Sequence, residues 1–298
     1  MATTNEAVNQ STPIASTKPR RRRRWNSANI AGVIGVLIIL GLVLTAIFAE
    51  QLSPYDPTER VGRPFRSPRA EFWLGTNDIG QDILSELIYG TRVSLLIGTV
   101  ASLVAMVIGT TVGLLAGYYP RLLGSILMRG VDIVLILPFL PLLIVLAAYL
   151  GRSLLNTVLI IGLLIWAGTA RVIRAQVLSI IQQEYVLAAR AIGARDFYII
   201  TRHILPQVLL LSVGQFVQAT SGAILLEASL SFLGLGDPLQ KSWGTVLYWA
   251  QVRGVFITPA WKWWVMPPGI LISLAALGFA LMGFALEQTI NPRLKQNR

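Results

Sequence analysis

Hydrophobic positions in this chain run in unbroken blocks rather than alternating with polar ones. Residues 30–49, 93–118, 133–150, 153–170, 204–226 and 263–286 contain no Asp, Glu, Lys or Arg. A helix rises 1.5 Å per residue, so about 20 residues cross a hydrocarbon core of roughly 30 Å. Six blocks near that length predict six transmembrane helices and an all-α integral membrane protein. Pro138 and Pro141 interrupt the third block. They are tolerated there because neighbouring helices can satisfy the carbonyls that a proline frees.

Between the fourth and fifth blocks the pattern changes. Apolar residues recur at helical spacing at Val177, Leu178, Ile181, Tyr185, Ala188, Ala189 and Ile192, with Glu184 and Arg190 off the stripe. This predicts an amphipathic helix. Gly193 ends it, because glycine enters the left-handed conformation at no steric cost. Asp196 suits the start of a second helix. The expected product is a helix–turn–helix bracket, in which the small Ala188 and Ala189 permit close approach of another surface.

Composition agrees with the blocks: 54% of residues are hydrophobic and 13% charged, against about 25% charged in soluble domains. The net charge of +11 would suit nucleic acid, but its placement points elsewhere. With the N-terminus inside, the inner segments 1–29, 119–130, 171–203 and 287–298 hold six, two, five and three lysines and arginines. The run Arg20–Arg24 abuts the first span and fixes its direction by the positive-inside rule. Both termini are thus expected in the cytoplasm, with no nucleic-acid partner. The first block exceeds a signal-peptide core of about 7–15 residues, so it reads as an anchor. The organisation expected is a basic tail at 1–29 (disordered over 1–19), a first span at 30–49, an extracytoplasmic segment at 50–91, a five-helix transmembrane domain at 92–287 with its cytoplasmic loop at about 171–203, and a tail at 288–298.

Catalytic chemistry is missing from the residue inventory. There are no cysteines and one histidine, His203, so neither thiolate sites nor imidazole clusters exist, and no metal site is expected. His203 reads as an interfacial polar anchor. A phosphate-binding loop needs a lysine after glycine; Lys18, Lys241, Lys262 and Lys295 do not follow one. No nucleophile–base pair stands among the spans, so the chain is read as a non-enzyme without a cofactor of its own.

The fifth block holds Gln215, Gln218 and Ser221, three apart and roughly on one face. Polar side chains in a span face protein or water, which makes these the candidate lining of a translocation path. Interhelical hydrogen bonding is the alternative. Glu227, at the outer end of the same block, is the candidate outer gate. Asp132 is expected to pair with Arg129 one helical turn away. The tryptophans at 243, 249, 261, 263 and 264 suggest an interfacial belt.

The stretch "EYVLAARAIGARDFYIITRHILP" at residues 184–206 resembles the EAA coupling loop of ATP-binding-cassette importer permeases. The similarity extends through "LGTNDIGQDILSELIYGTRVSLLIG" at 74–98, "GLLAGYY" at 113–119, "VDIVLILPFL" at 131–140 and "EASLSFLGLGDP" at 227–238. Together these resemble the C-type permease of dipeptide and oligopeptide importers. Two positions depart from the pattern: Leu187 stands where an acidic residue often precedes the two alanines, and Gln81 follows Gly80 where an arginine is common. The resemblance implies a type I ABC importer permease fold in a bacterial inner (plasma) membrane. It implies that Glu184, Ala188, Ala189, Gly193 and Pro206 belong to a loop docking on an ATPase, and that ATP is bound by partner subunits. The partners implied are a second homologous permease, two cytoplasmic ATPases and an extracytoplasmic substrate-binding protein. Di- or oligopeptides are the implied cargo, with nickel, nickel chelates or glutathione as alternatives. An ion-driven secondary transporter is the rival class, and it would need ionisable groups in mid-span that the six blocks lack.

Overall fold

The computed structural model describes residues 27–290. The basic run Arg20–Arg24, the tail expected over 1–19 and residues 291–298 lie outside the described residues. Among those described, the chain is helical with no β-strand: α1 (Ser27–Ile47), α2 (Ala49–Leu52), α3 (Ile83–Tyr118), α4 (Leu122–Ile136), α5 (Phe139–Leu150), α6 (Leu154–Ile180), α7 (Glu184–Ala191), α8 (Asp196–Ile199), a π turn (Ile200–Ile204), α9 (Leu205–Phe232), α10 (Trp243–Val252), α11 (Trp261–Trp264) and α12 (Met266–Ile290).

Five helical stretches are long and apolar enough to cross a membrane: Asn29–Ile47, Ile83–Tyr118, Leu154–Ile180, Asp196–Phe232 and Trp261–Gln288. The third block supplies a sixth crossing only as a bent pair, α4 and α5, which meet at 90°. The span expected over 133–150 is thus broken at the first of its interrupting prolines, and its helix begins earlier, at Leu122. Proline pushes the residue before it into extended backbone, and Leu137 takes φ −64°, ψ 137°. Pro141 falls in the first turn of α5, where a missing N–H has no carbonyl to serve.

The second span starts at Ile83, ten residues before its charge-free block. Asp82 caps it, its carboxylate accepting from Ser85 N at 2.8 Å. Arg92, inside the helix, donates Nε to Ala46 O at 2.6 Å and NH1 to Glu50 at 3.1 Å. Neighbouring elements thus satisfy the polar residues that the block pattern assigned to a loop.

Small residues decide how the helices meet. Ala101, Ala105, Gly109, Gly113 and Gly117 recur every four residues on one side of α3, all buried. A β-carbon added at Gly109 would lie 2.7 Å from Thr169 Cβ, at Gly113 2.6 Å from Ala170 O, and at Gly117 2.6 Å from Val177 Cβ. The α3 and α6 backbones therefore touch along a small-xxx-small seam. In lipid, where exclusion of apolar surface from water gives no drive, such seams supply the packing. Packing of α1 on α12 is similar, with Gly35 facing the Gly278 carbonyl. α9 lies against α3, where Thr110 donates to Ser212 Oγ at 2.8 Å.

Residues 50–82, α10 and α11 cap one end. Trp243 and Trp264 are buried inside this cap, and the Trp243 indole donates to Leu87 O at 3.2 Å. The belt reading fails for these two, because they fill the interior of a small folded cap. Lys241 pairs with buried Glu86 at 2.6 Å and also donates to Gln81, while Arg253 pairs with Asp78 at 2.6 Å. The first pair joins the first turn of α3, and the second the segment before it, to the segment around α10. Breaking either pair would strand a poorly solvated carboxylate.

Candidate coupling loop and cavity

The bracket differs in detail from its sequence reading. α6 carries Val177 and Leu178 and ends at Ile180; a break at 181–183 separates it from α7. The stripe is thus shared by two helices, and its outer members point away from the bundle. Val186 and Ala189 are buried against Val177, Ile199, Ile204 and Tyr118. Ala188, Glu184 and Tyr185 are exposed. The paired alanines do different things: Ala189 lets α7 sit close to the bundle, and Ala188 faces outward.

Gly193 has φ +84°. Ala194 N donates to Ala189 O and Gly193 N to Arg190 O, each at 3.0 Å. These two bonds form a Schellman cap that stops α7 abruptly and turns the chain into α8. Asp196 opens α8, and its carboxylate accepts from Tyr118 Oη at 2.7 Å and Tyr119 Oη at 3.2 Å. The Arg190 guanidinium lies over the Tyr118 ring at 5.2 Å. The bracket is therefore clasped to the end of α3. This contact escaped the sequence reading because the three residues it joins lie about 80 positions apart.

After α8 the helix widens into the π turn and narrows again at Leu205–Pro206. Pro206 stands at the start of α9, where its missing N–H falls at the irregular turn. His203 lies 5.8 Å from the Tyr185 ring and 5.5 Å from the Tyr198 ring. Gln207 Nε2 donates to Tyr185 Oη at 2.6 Å and to His203 O at 3.0 Å. What the bracket presents outward is apolar: Tyr185, Leu187, Ile192, Phe197 and Tyr198 are all exposed, Ile192 by 86%. A cluster of this kind marks a surface for contact with another protein or with the membrane. Leu187, the departure from the EAA pattern, is half-exposed on it.

A cavity of about 480 Å³ opens between α6, α9 and α12. Gln176, Gln207, Gln215, Gln218 and Glu287 supply its polar lining. Gln218 Nε2 donates to Glu287 Oε2 at 3.3 Å. Gln176 and Glu287 escaped the sequence reading because they belong to other helices than the glutamine row of the fifth block. Ser221 does not join them: its hydroxyl donates to Ala276 O at 2.8 Å and ties α9 to α12. Six positions beyond Gln215, it has moved past the cavity along the helix.

Two further residues have other surroundings than their sequence positions suggest. Glu227, the candidate outer gate, does not stand open to solvent. It is fully buried and accepts from Ser231 Oγ at 2.8 Å and Ser94 Oγ at 3.2 Å, while Ser94 Oγ receives Trp243 N at 3.2 Å. It is a node joining α3, α9 and α10. Asp132 pairs with Arg171 at 2.7 Å rather than with Arg129, because α4 packs against α6 and brings that arginine alongside. Among the described residues, no group of His, Cys, Asp or Glu is arranged to hold a metal ion.

Residues 109–296 match the family described as binding-protein-dependent transport system inner membrane component. Residues 27–68 match the N-terminal transmembrane domain of oligopeptide transport permease C. The chain is 38% identical over 281 residues to the di/tripeptide transport system permease protein DppC of Pseudomonas aeruginosa, covering 91% of each chain. It is 39% identical over 273 residues to the dipeptide permease DppC of Alkalihalophilus pseudofirmus, covering 90% of this chain and 87% of the relative. The glutathione transport system permease protein GsiD of Pectobacterium atrosepticum is 36% identical over 276 residues, covering 92% of this chain and 90% of the relative. With the long helices, the α7–α8 bracket and these matches, the chain belongs to the inner-membrane permease family of binding-protein-dependent ABC importers, with the type I fold.

Proposed function

We propose that this permease forms half of a pore for di- or oligopeptides, with a homologous permease as the other half. Two ATPases sit on its cytoplasmic face and a loaded binding protein docks on the opposite side. The α7–α8 bracket carries this reading. It is a short rigid element, capped at Gly193 and clasped to α3 through Asp196, with an exposed apolar face. Such an element passes a rigid-body displacement from a bound ATPase into the spans. Glu184 and Ala188 stand on its outer side, Ala189 seats it, and Gly193 and Pro206 set its turns. ATP binds the partner subunits, and no cofactor is assigned to this chain. The bracket end is cytoplasmic, as are both termini, in a bacterial inner membrane.

Peptide cargo is supported by the names of the relatives and by the chemistry of the cavity. Gln176, Gln207, Gln215 and Gln218 offer donors and acceptors that suit a variable peptide backbone. Ser221 is assigned to holding α12, and Glu227 to holding the cap.

The test is uptake in proteoliposomes containing the complete importer. Leucine at both Gln215 and Gln218 lowers dipeptide uptake by tenfold or more. An unpaired peptide group in an apolar passage costs about 1–3 kcal/mol, and each 1.36 kcal/mol on a barrier is tenfold in rate. ATP hydrolysis stimulated by the loaded binding protein persists, because the bracket is untouched. Normal uptake by the double variant, or uptake that follows an imposed ion gradient without ATP, overturns the reading.

A further inference from the structure

Among the described residues, the lining of the α6–α9–α12 cavity contains one charged side chain, Glu287, among four glutamines, and no lysine or arginine borders it. A lining chosen only for backbone amides would not need a carboxylate. Glu287 is exposed in the cavity and, among the described residues, receives one hydrogen bond, from Gln218 at 3.3 Å. An ionised carboxylate offers about four acceptor sites, so a single bond leaves it capacity for a cationic ligand. Among the described residues it enters no ion pair.

We propose that Glu287 is the site in this cavity that recognises a primary ammonium, the free N-terminus of a peptide, while the glutamines take the backbone that follows. This rests on the reading of the cavity as the peptide path and goes beyond it by naming a feature of the cargo. The amide-bearing lining alone would pass blocked and free peptides alike. One carboxylate makes the passage favour the end that carries positive charge. Because the group is open to water, its preference is modest and weakened by salt.

The naturally cysteine-free chain gives a direct readout. Leu211, another lining residue, is changed to cysteine, and the complete importer is placed in nanodiscs so that both faces are accessible. Small methanethiosulfonates of opposite charge then report the local potential, read on this subunit after separation. The cationic reagent reacts about fivefold faster than the anionic one, and Glu287→Gln brings the two rates together. A free-amine dipeptide at millimolar concentration slows labelling, whereas the same dipeptide N-acetylated does not. Glu287→Gln removes that difference; Glu287→Asp keeps it. The glutamine variant preserves the acceptor for Gln218, so a purely structural Glu287 would leave the comparison of free and acetylated peptides unchanged and overturn the proposal. Equal protection by both peptides overturns the ammonium assignment while leaving the path in place. Protection by neither overturns the path itself, and the assignment with it.

Discussion

Replacing Gly193 by aspartate abolishes substrate uptake while the chain still inserts and folds. A β-carbon added at Gly193 meets nothing within 4 Å, so no clash inside the permease is expected. The internal cost is conformational: a side chain at φ +84° is strained by about 1–2 kcal/mol. That loosens the two capping bonds without unfolding the bundle. The larger effect falls on docking. Aspartate places a charge beside Ile192, at the apolar surface proposed to dock the ATPase, and an unpaired charge desolvated in an interface costs several kcal/mol. Uptake and binding-protein-stimulated ATP hydrolysis fall together, by about 100-fold or more, since each 1.36 kcal/mol is tenfold. Gly193→Ala, which brings the strain without the charge, retains a measurable fraction of uptake. Wild-type uptake by the aspartate variant removes α7 from the coupling path.

Gly113→Leu has the opposite signature: the folded chain itself is lost. The first added carbon would sit 2.6 Å from Ala170 O and 2.8 Å from Ile173 Cβ. One of these neighbours is backbone and the other a branched residue fully buried in the helix interface. Neither yields without separating α3 from α6. Separation opens the whole seam from Ala101 to Gly117, and van der Waals packing is what holds helices together in lipid. Overpacking costs about 1–3 kcal/mol where a core can adjust; a backbone contact cannot, so the expected cost lies above that range. No monodisperse complex is recovered. Gly41→Leu, at a position where an added carbon meets nothing within 4 Å, gives normal yield and thermal stability. Equal yields from the two variants would show that the α3–α6 seam does not hold the bundle.

The crossings were legible because lipid demands uncharged runs long enough to span it, and that demand is written residue by residue. Where a partner residue decides the outcome, the sequence was silent. The start of α3 was hidden because Ser85, Glu86 and Arg92 look like loop residues until α1, Asn77 and Lys241 appear beside them. Proline in the third block was read as tolerated, yet Leu137 and Pro138 turn the chain through a right angle. Trp243 looked interfacial because tryptophan has a polar edge; its indole instead finds a carbonyl inside the cap. For the coupling loop, Gly193 as a helix stop was a local property and could be read from sequence. The face that α7 buries depends on the break at 181–183, which reset the stripe. Gln215 and Gln218 were legible as a polar row in an apolar helix, but Ser221 in the same row spends its hydroxyl on α12.

The central claim, that the bracket docks an ATPase while the opposite cap receives the loaded binding protein, is tested most directly by photo-cross-linking in the complete importer. A photoreactive residue is placed at Ile192 or, separately, at Ile257, exposed by 86% and 93%. Ile192 is predicted to cross-link the ATPase subunit, and Ile257 the binding protein once substrate and ATP are supplied. An Ile192 adduct with the binding protein, or an ATPase adduct from Ile257 alone, would contradict both the orientation and the coupling role.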